Sequence, residues 1–126
     1  MIYLIDTHVF LWWVQKPEHL SKAAFQAIED NSNTIYVSTA VAWEINIKMA
    51  NNKLEAPENI LSYVESNRFI PLDINYSHAN ALLELPEIHT DPFDRIQIAQ
   101  AHVEDVTFVT RDTQILKYDL INTIKA

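Results

Sequence analysis

Short apolar runs recur along this chain, and the segments between them carry helical patterning. That alternation constrains the fold more than any other feature of the sequence. Residues 2–5 (Ile-Tyr-Leu-Ile) form an uninterrupted apolar run, as expected of a strand buried on both faces. A helix is predicted from Thr7 to Gln15, broken at Lys16-Pro17, and a second from Ser21, as N-cap, to Asp30. Thr34 to Val37 reads as a second strand, followed by a helix capped by Ser38 or Thr39 and running to Ala50. Pro57 near the start of the next segment predicts a helix to about Asn67. Phe69 to Ile74 reads as a third strand, placed at a sheet edge by Pro71. Helices are then predicted over Ser77–Leu85 and from Asp91-Pro92 to Glu104, and a fourth strand over Val106–Val109. A short helix near Thr113–Lys117 and a short strand near Asn122–Ile124 complete the chain. Strands separated by helices imply βαβ units, a mostly parallel sheet of about five strands and helices on both faces. The expected fold class is α/β, a three-layer α/β/α domain spanning residues 1–126.

Composition excludes several function classes. The chain has no glycine, which removes every glycine-rich phosphate loop, the P-loop and dinucleotide fingerprints included. Its turns must rely on Asn, Asp, Ser and Pro, as in Asn31-Ser32-Asn33 and Asn51-Asn52. It has no cysteine, hence no disulfide framework and no thiolate metal site, a composition that fits a reducing cytoplasm. The apolar N-terminus is interrupted at Asp6 and lacks a basic leader, so neither a signal peptide nor a membrane span is expected. Seventeen acidic residues against nine Lys and Arg give a formal net charge of −8. Bulk charge therefore opposes nonspecific nucleic-acid binding. An RNA groove would need local basic residues, and Arg68, Arg95, Arg111, Lys48 and Lys53 are the candidates. An acidic surface also suits a basic protein partner.

In an open parallel sheet, ligands bind beyond the carboxyl ends of the strands, so acids just after strands carry the most information. Asp6 ends the first strand, and Asp112 follows the fourth in Val109-Thr110-Arg111-Asp112. Glu44 lies about one and a half turns into the helix after the second strand, and Asp94 in the first turn of the helix leading to the fourth. Four carboxylates on four elements, without a thiolate or a histidine pair at ligand spacing, favour a hard cation, Mg²⁺ or Mn²⁺. Phosphodiester hydrolysis is the chemistry that suits such a site best. Each acid also has a structural reading. Asp6, Asp91 and Asp112 could cap the helices that follow them. Glu44 could pair with Lys48 at i,i+4, and Asp94 could complement a helix dipole. For Asp91, followed by Pro92 at the first helical position, the capping role is the stronger reading.

His8, His19, His78, His89 and His102 show no zinc-motif spacing; His8 and His89 lie near acids but read more naturally as scaffold or surface. Trp12, Trp13 and Trp43 could stack on RNA bases, although their apolar neighbours favour core or interface positions. Ser38 and Thr110 could cap helices or orient a metal-bound water.

The motifs together resemble those of VapC-type PIN-domain toxins. The opening Leu4-Ile5-Asp6-Thr7-His8 with Leu11-Trp12-Trp13 is similar to the family's first motif, and Ser38 through Trp43-Glu44-Ile45 with Lys48 to its second. The stretch His89-Thr90-Asp91-Pro92-Phe93-Asp94-Arg95, continuing to Ile98-Ala99-Gln100-Ala101, is the most specific match, and Val109-Thr110-Arg111-Asp112 resembles the fourth. The resemblance implies RNA cleavage by metal-activated water with Mg²⁺ or Mn²⁺ as cofactor. It implies Asp6, Glu44, Asp94 and Asp112 as the acidic quartet and metal-binding set, with Asp6 and Asp94 as the best candidates for direct ligation and Glu44 and Asp112 ligating a second ion, binding through water or orienting the nucleophile. Thr7 and Thr110 match the hydroxyl positions near the acids, and Arg95 and Arg111 match possible phosphate contacts. The resemblance further implies a homodimer and a VapB-like antitoxin seated in or beside the acidic cleft, with an apolar groove near Trp12 and Trp13 as a docking surface.

Two other readings compete. A PIN-like module without chemistry would serve only protein interaction; the presence of all four acids weighs against it. An aspartyl-phosphate enzyme often carries a second acid two residues after the first, where this chain has His8.

Overall fold

The computed structural model of the chain describes residues 1–56, 58–88 and 90–126. Five strands form one all-parallel sheet: β1 (Ile2–Ile5), β2 (Thr34–Ser38), β3 (Ile70–Leu72), β4 (Thr107–Thr110) and β5 (Thr123–Lys125). The order is β3-β2-β1-β4-β5, which puts Pro71 on an edge strand as expected. The α-helices among the described residues are α1 (Thr7–Gln15), α2 (Lys22–Glu29), α3 (Thr39–Ala50), α4 (Ile60–Ser66), α5 (Tyr76–Ala81) and α6 (Pro92–Glu104). None is long and apolar enough to cross a membrane.

The three layers follow from the two-residue repeat of the strands. In β1, Tyr3 and Ile5 enter one core with α1–α4, whereas Leu4 enters the other with α5 and α6. In β4, Val109 and Phe108 divide in the same way. Phe10 and Phe108 are fully buried on opposite faces, and each contributes about 2–3 kcal/mol by leaving water.

Several boundaries differ from the sequence reading, each for a local reason. β3 keeps only three residues, because Phe69 is buried in the core and its N–H closes the end of α4 by bonding the Val64 carbonyl at 2.9 Å. The helix expected over Ser77–Leu85 starts one residue earlier and tightens at Leu82–Glu84 into a 3-10 turn. It starts there because Asn75 and His78 form a reciprocal capping box. The helix expected near Thr113–Lys117 is a 3-10 turn over Ile115–Lys117. Pro57 lies outside the described residues; α4 itself begins at Ile60, capped by Asn59.

The missing glycines are replaced where the backbone needs a left-handed residue. Helices α3, α4 and α6 each end with a positive-φ residue: Asn52 (55°), Arg68 (61°) and Asp105 (53°). In each case the next N–H reaches back five residues, from Lys53 to Lys48, Phe69 to Val64 and Val106 to Ala101. These are Schellman closures without their usual glycine.

Strand order also locates a site. From β1 the chain moves outward to β2 and β3, then returns across the sheet to β4 on the other side of β1. The direction of winding therefore reverses between β1 and β4, and a crevice opens at their carboxyl ends.

Candidate active site

Asp6 and the segment Thr110-Arg111-Asp112 occupy that crevice. The Asp6 N–H still bonds the Val109 carbonyl at 3.1 Å, so Asp6 is the first residue beyond the β1 run and remains tied to β4. Its carboxylate accepts from the Val9 N–H at 2.8 Å and from the Thr110 hydroxyl at 2.5 Å. The same group thus caps α1 and faces the crevice.

Four acids predicted from sequence, Asp6, Glu44, Asp94 and Asp112, line one cleft of about 420 Å³. Asp91 joins them, although it also caps α6 by accepting from the Phe93 and Asp94 N–H groups at 2.9 and 3.0 Å. His8, Lys48, Arg111 and Thr113 complete the lining. Of the five basic residues proposed for an RNA groove, only Lys48 and Arg111 are in it. Arg95 is directed elsewhere: its guanidinium donates to the Pro86 carbonyl at 2.9 Å and to the Tyr118 hydroxyl at 3.4 Å. His89 lies outside the described residues.

Glu44 is only 3% exposed and both its oxygens are engaged. Oε1 accepts from the Thr7 hydroxyl at 2.6 Å and Oε2 from the Lys48 ammonium at 2.7 Å. The i,i+4 pair expected on a solvated face is therefore half-buried and belongs to the cleft. Thr7 also receives an amide N–H from Gln97 at 3.5 Å, and Gln97 donates to the Phe93 carbonyl at 3.2 Å. Sequence reasoning overlooked Gln97. Its one signal was position, a polar residue three after Asp94 on the inward face of α6.

The electrostatics are those of crowded carboxylates deprived of water. Burial raises the Asp6 pKa to about 6 against the lowering effects of the Thr110 and Val9 hydrogen bonds and the Arg111 charge. Asp94 rises to about 7, first through burial and then through repulsion from Asp91, Asp6, Glu44 and Asp112. His8 moves down, through burial and then the Arg111 and Lys48 charges. Among the described residues, no three His, Asp or Glu side chains converge into a ready-made metal cage. Asp6 and Glu44 are instead held by hydroxyl, backbone and ammonium donors.

The tryptophans divide. The Trp13 indole N–H donates to Asn67 at 3.0 Å, and its ring packs on Phe25 and Phe69. Trp12 is also partly buried against the core. An apolar concavity lies between α3, α4 and β3, lined by Ala42, Ile60, Leu61, Val64 and Pro71. Trp43 is 58% exposed and meets Phe93 edge-on, with centroids 5.0 Å apart.

Residues 3–120 match the PIN domain family. The chain belongs to that family. This PIN domain is 30% identical over 116 residues to Ribonuclease VapC22 of Mycobacterium tuberculosis, covering 89% of this chain and 88% of that one. Its fold is shared with VapBC2 from Rickettsia felis, solved bound to a promoter DNA fragment, at a TM-score of 0.75 and 18% identity, over 100% of this chain and 99% of that one. It is shared also with VapBC-5 from Mycobacterium tuberculosis, at a TM-score of 0.64 and 17% identity, over 99% and 98%.

Proposed function

We propose that this PIN domain is an endoribonuclease dependent on Mg²⁺ or Mn²⁺, acting as a VapC-type toxin restrained by a VapB-like antitoxin. The observation that carries the reading is the convergence of Asp6, Glu44, Asp94 and Asp112, from four separate elements, on one cleft at the sheet's switch point. The similarity to Ribonuclease VapC22 supplies the direction of the chemistry.

The donor set fits a hard cation. It is made of carboxylate oxygens without thiolate, and two of them are raised in pKa by burial and repulsion that a cation would relieve. Asp6 and Asp94 would hold the ion, with Glu44 and Asp112 beside them. Once bound, such an ion acidifies a water and stabilises charge on a phosphoryl oxygen. The protein's own contribution is to fix these groups. Thr110 and the Val9 N–H hold the Asp6 carboxylate, and Thr7 and Lys48 hold Glu44. Arg111 supplies positive charge for the RNA backbone. The net charge of −8 suits a basic antitoxin segment, and a homodimer accompanies the assignment.

The test is cleavage of RNA by the purified chain in Mg²⁺ or Mn²⁺, mapped by sequencing the RNA ends. Loss of cutting in EDTA and in Asp94→Asn is expected, as is relief by a cognate antitoxin. Equal cleavage by wild type and Asp94→Asn would remove the proposed site, and intact RNA in both metals would favour a protein-interaction module. Sedimentation of the free chain checks the dimer.

A further inference from the structure

The cleft holds two side-chain cations in different states. Lys48 is committed to Glu44 at 2.7 Å. Arg111 is exposed, and among the described residues no carboxylate forms an ion pair with it, although five acids line the same cleft. Its guanidinium carbon instead lies over the Trp12 ring, 5.3 Å from the centroid. An aromatic face holds a guanidinium without neutralising its charge and without consuming its N–H donors. Those donors match a phosphate in a forked, charge-assisted geometry. Trp12 is itself fixed, packed against the core and met edge-on by His19 at 5.5 Å.

We propose that Trp12 is a positioning residue that keeps Arg111 unpaired at the cleft as the anchor for an RNA backbone phosphate. The inference rests on the ribonuclease reading and adds to it a division of labour. The acids serve the scissile bond, and the Trp12–Arg111 pair offsets their repulsion of the strand. A carboxylate partner in place of Trp12 would fix Arg111 equally well but cancel the charge that RNA needs.

The experiment measures the affinity of the full chain for a fluorescein-labelled, mixed-sequence single-stranded RNA by anisotropy. It uses Mg²⁺ and an Asp94→Asn background that leaves the oligomer uncut. Arg111→Ala is expected to weaken binding about tenfold, the low end for a charge-assisted hydrogen bond. It is also expected to flatten the log affinity–log salt slope by about 0.7, one single-strand phosphate contact. Trp12→Leu, which keeps apolar packing but removes the aromatic face, is expected to weaken binding about three- to fivefold. Trp12→Phe restores most of that loss, and Trp12→Leu adds nothing once Arg111 is alanine. Thermal melting of each variant separates these effects from unfolding. Unchanged RNA affinity in Arg111→Ala, or an equal Trp12→Leu loss with and without Arg111, overturns the proposal. If the otherwise wild-type chain cuts no RNA, the ribonuclease reading falls and takes this inference with it; cleavage with unaltered variant affinities removes this inference alone.

Discussion

Asp94→Asn should stabilise the metal-free protein while abolishing cleavage. The folded chain holds the Asp94 pKa near 7 against an unfolded value of 3.8, and the largest cause is burial. A carboxyl group raised in this way binds its proton more tightly when folded. Its protonated form therefore favours folding below the unfolded pKa, and that contribution is lost as pH rises through the folded value. The shift corresponds to about 4 kcal/mol as an upper bound. Asp94 is only half-buried, so solvent screening reduces this to about 1–2 kcal/mol. Removing the charge also forfeits its favourable place in the first turn of α6, about 0.5 kcal/mol. The net gain at pH 8 is about 1 kcal/mol, or a rise of roughly 3–5 °C in Tm for a chain of this size. Melting in EDTA at pH 8 and pH 5 is the assay. The variant should melt higher at pH 8, and the gap should narrow at pH 5, where Asp94 of the folded wild type is protonated. Added Mg²⁺ should raise the wild-type Tm at pH 8 by mass action and leave the variant nearly unmoved. A variant that melts below wild type at pH 8 in EDTA would refute the repulsive electrostatics assigned to this cleft.

Arg68 sits at φ 61° after α4 on an exposed corner. Arg68→Gly should therefore raise stability by about 0.5–1 kcal/mol in urea unfolding despite glycine's larger unfolded-state entropy. Lys48→Met removes one of the two groups holding the buried Glu44. It should cost about 1–2 kcal/mol in the same assay, less than a fully buried pair because Lys48 is 38% exposed. His78 is fully buried, accepts from the Asn75 N–H at 3.1 Å and contacts Glu104 at 2.8 Å. His78→Ala should cost about 2–4 kcal/mol by opening a cavity and uncapping α5, and RNA cleavage at temperatures below the lowered Tm should be unaffected.

Periodicity carried most of the fold because the strands of a covered parallel sheet are unbroken apolar runs and most of the helices have strong start signals. Ser21, Ser38 and Asp91 each cap the helix that follows. What periodicity could not show was where a pattern stops being paired. Asp73 and Ile74 continue the look of β3, but the β2–β3 register ends at the Ser38–Leu72 match. Leu82–Glu84 continues the helical pattern of α5 but tightens into a 3-10 turn. The location of Asp6 and Asp112 was legible because strand ends fix backbone position, whereas Glu44 and Asp94 reach the cleft from α3 and α6. The direction of the Arg95 side chain was not legible, because a long side chain can turn either way from its Cα, and here it reaches the Pro86 carbonyl and Tyr118.

The structural and chemical readings of these acids were posed as alternatives, and the geometry makes them compatible. A helix that begins where a parallel strand ends points its free N–H groups toward the same crevice that receives ligands. An acid at that junction caps the helix with one oxygen and keeps the other at the cleft. Asp6 does this, with Oδ1 on Val9 and Oδ2 on the Thr110 hydroxyl at the end of β4. Asp91 also caps its helix while lining the cleft. Capping propensity at a strand–helix junction is therefore no argument against a site there. The discriminating feature is whether a second strand end delivers a polar partner to the far oxygen, as Thr110 does for Asp6. Asp30 shows the contrast: it closes a local turn with Ser32, is fully exposed, and its pKa is lowered by those hydrogen bonds rather than raised by burial.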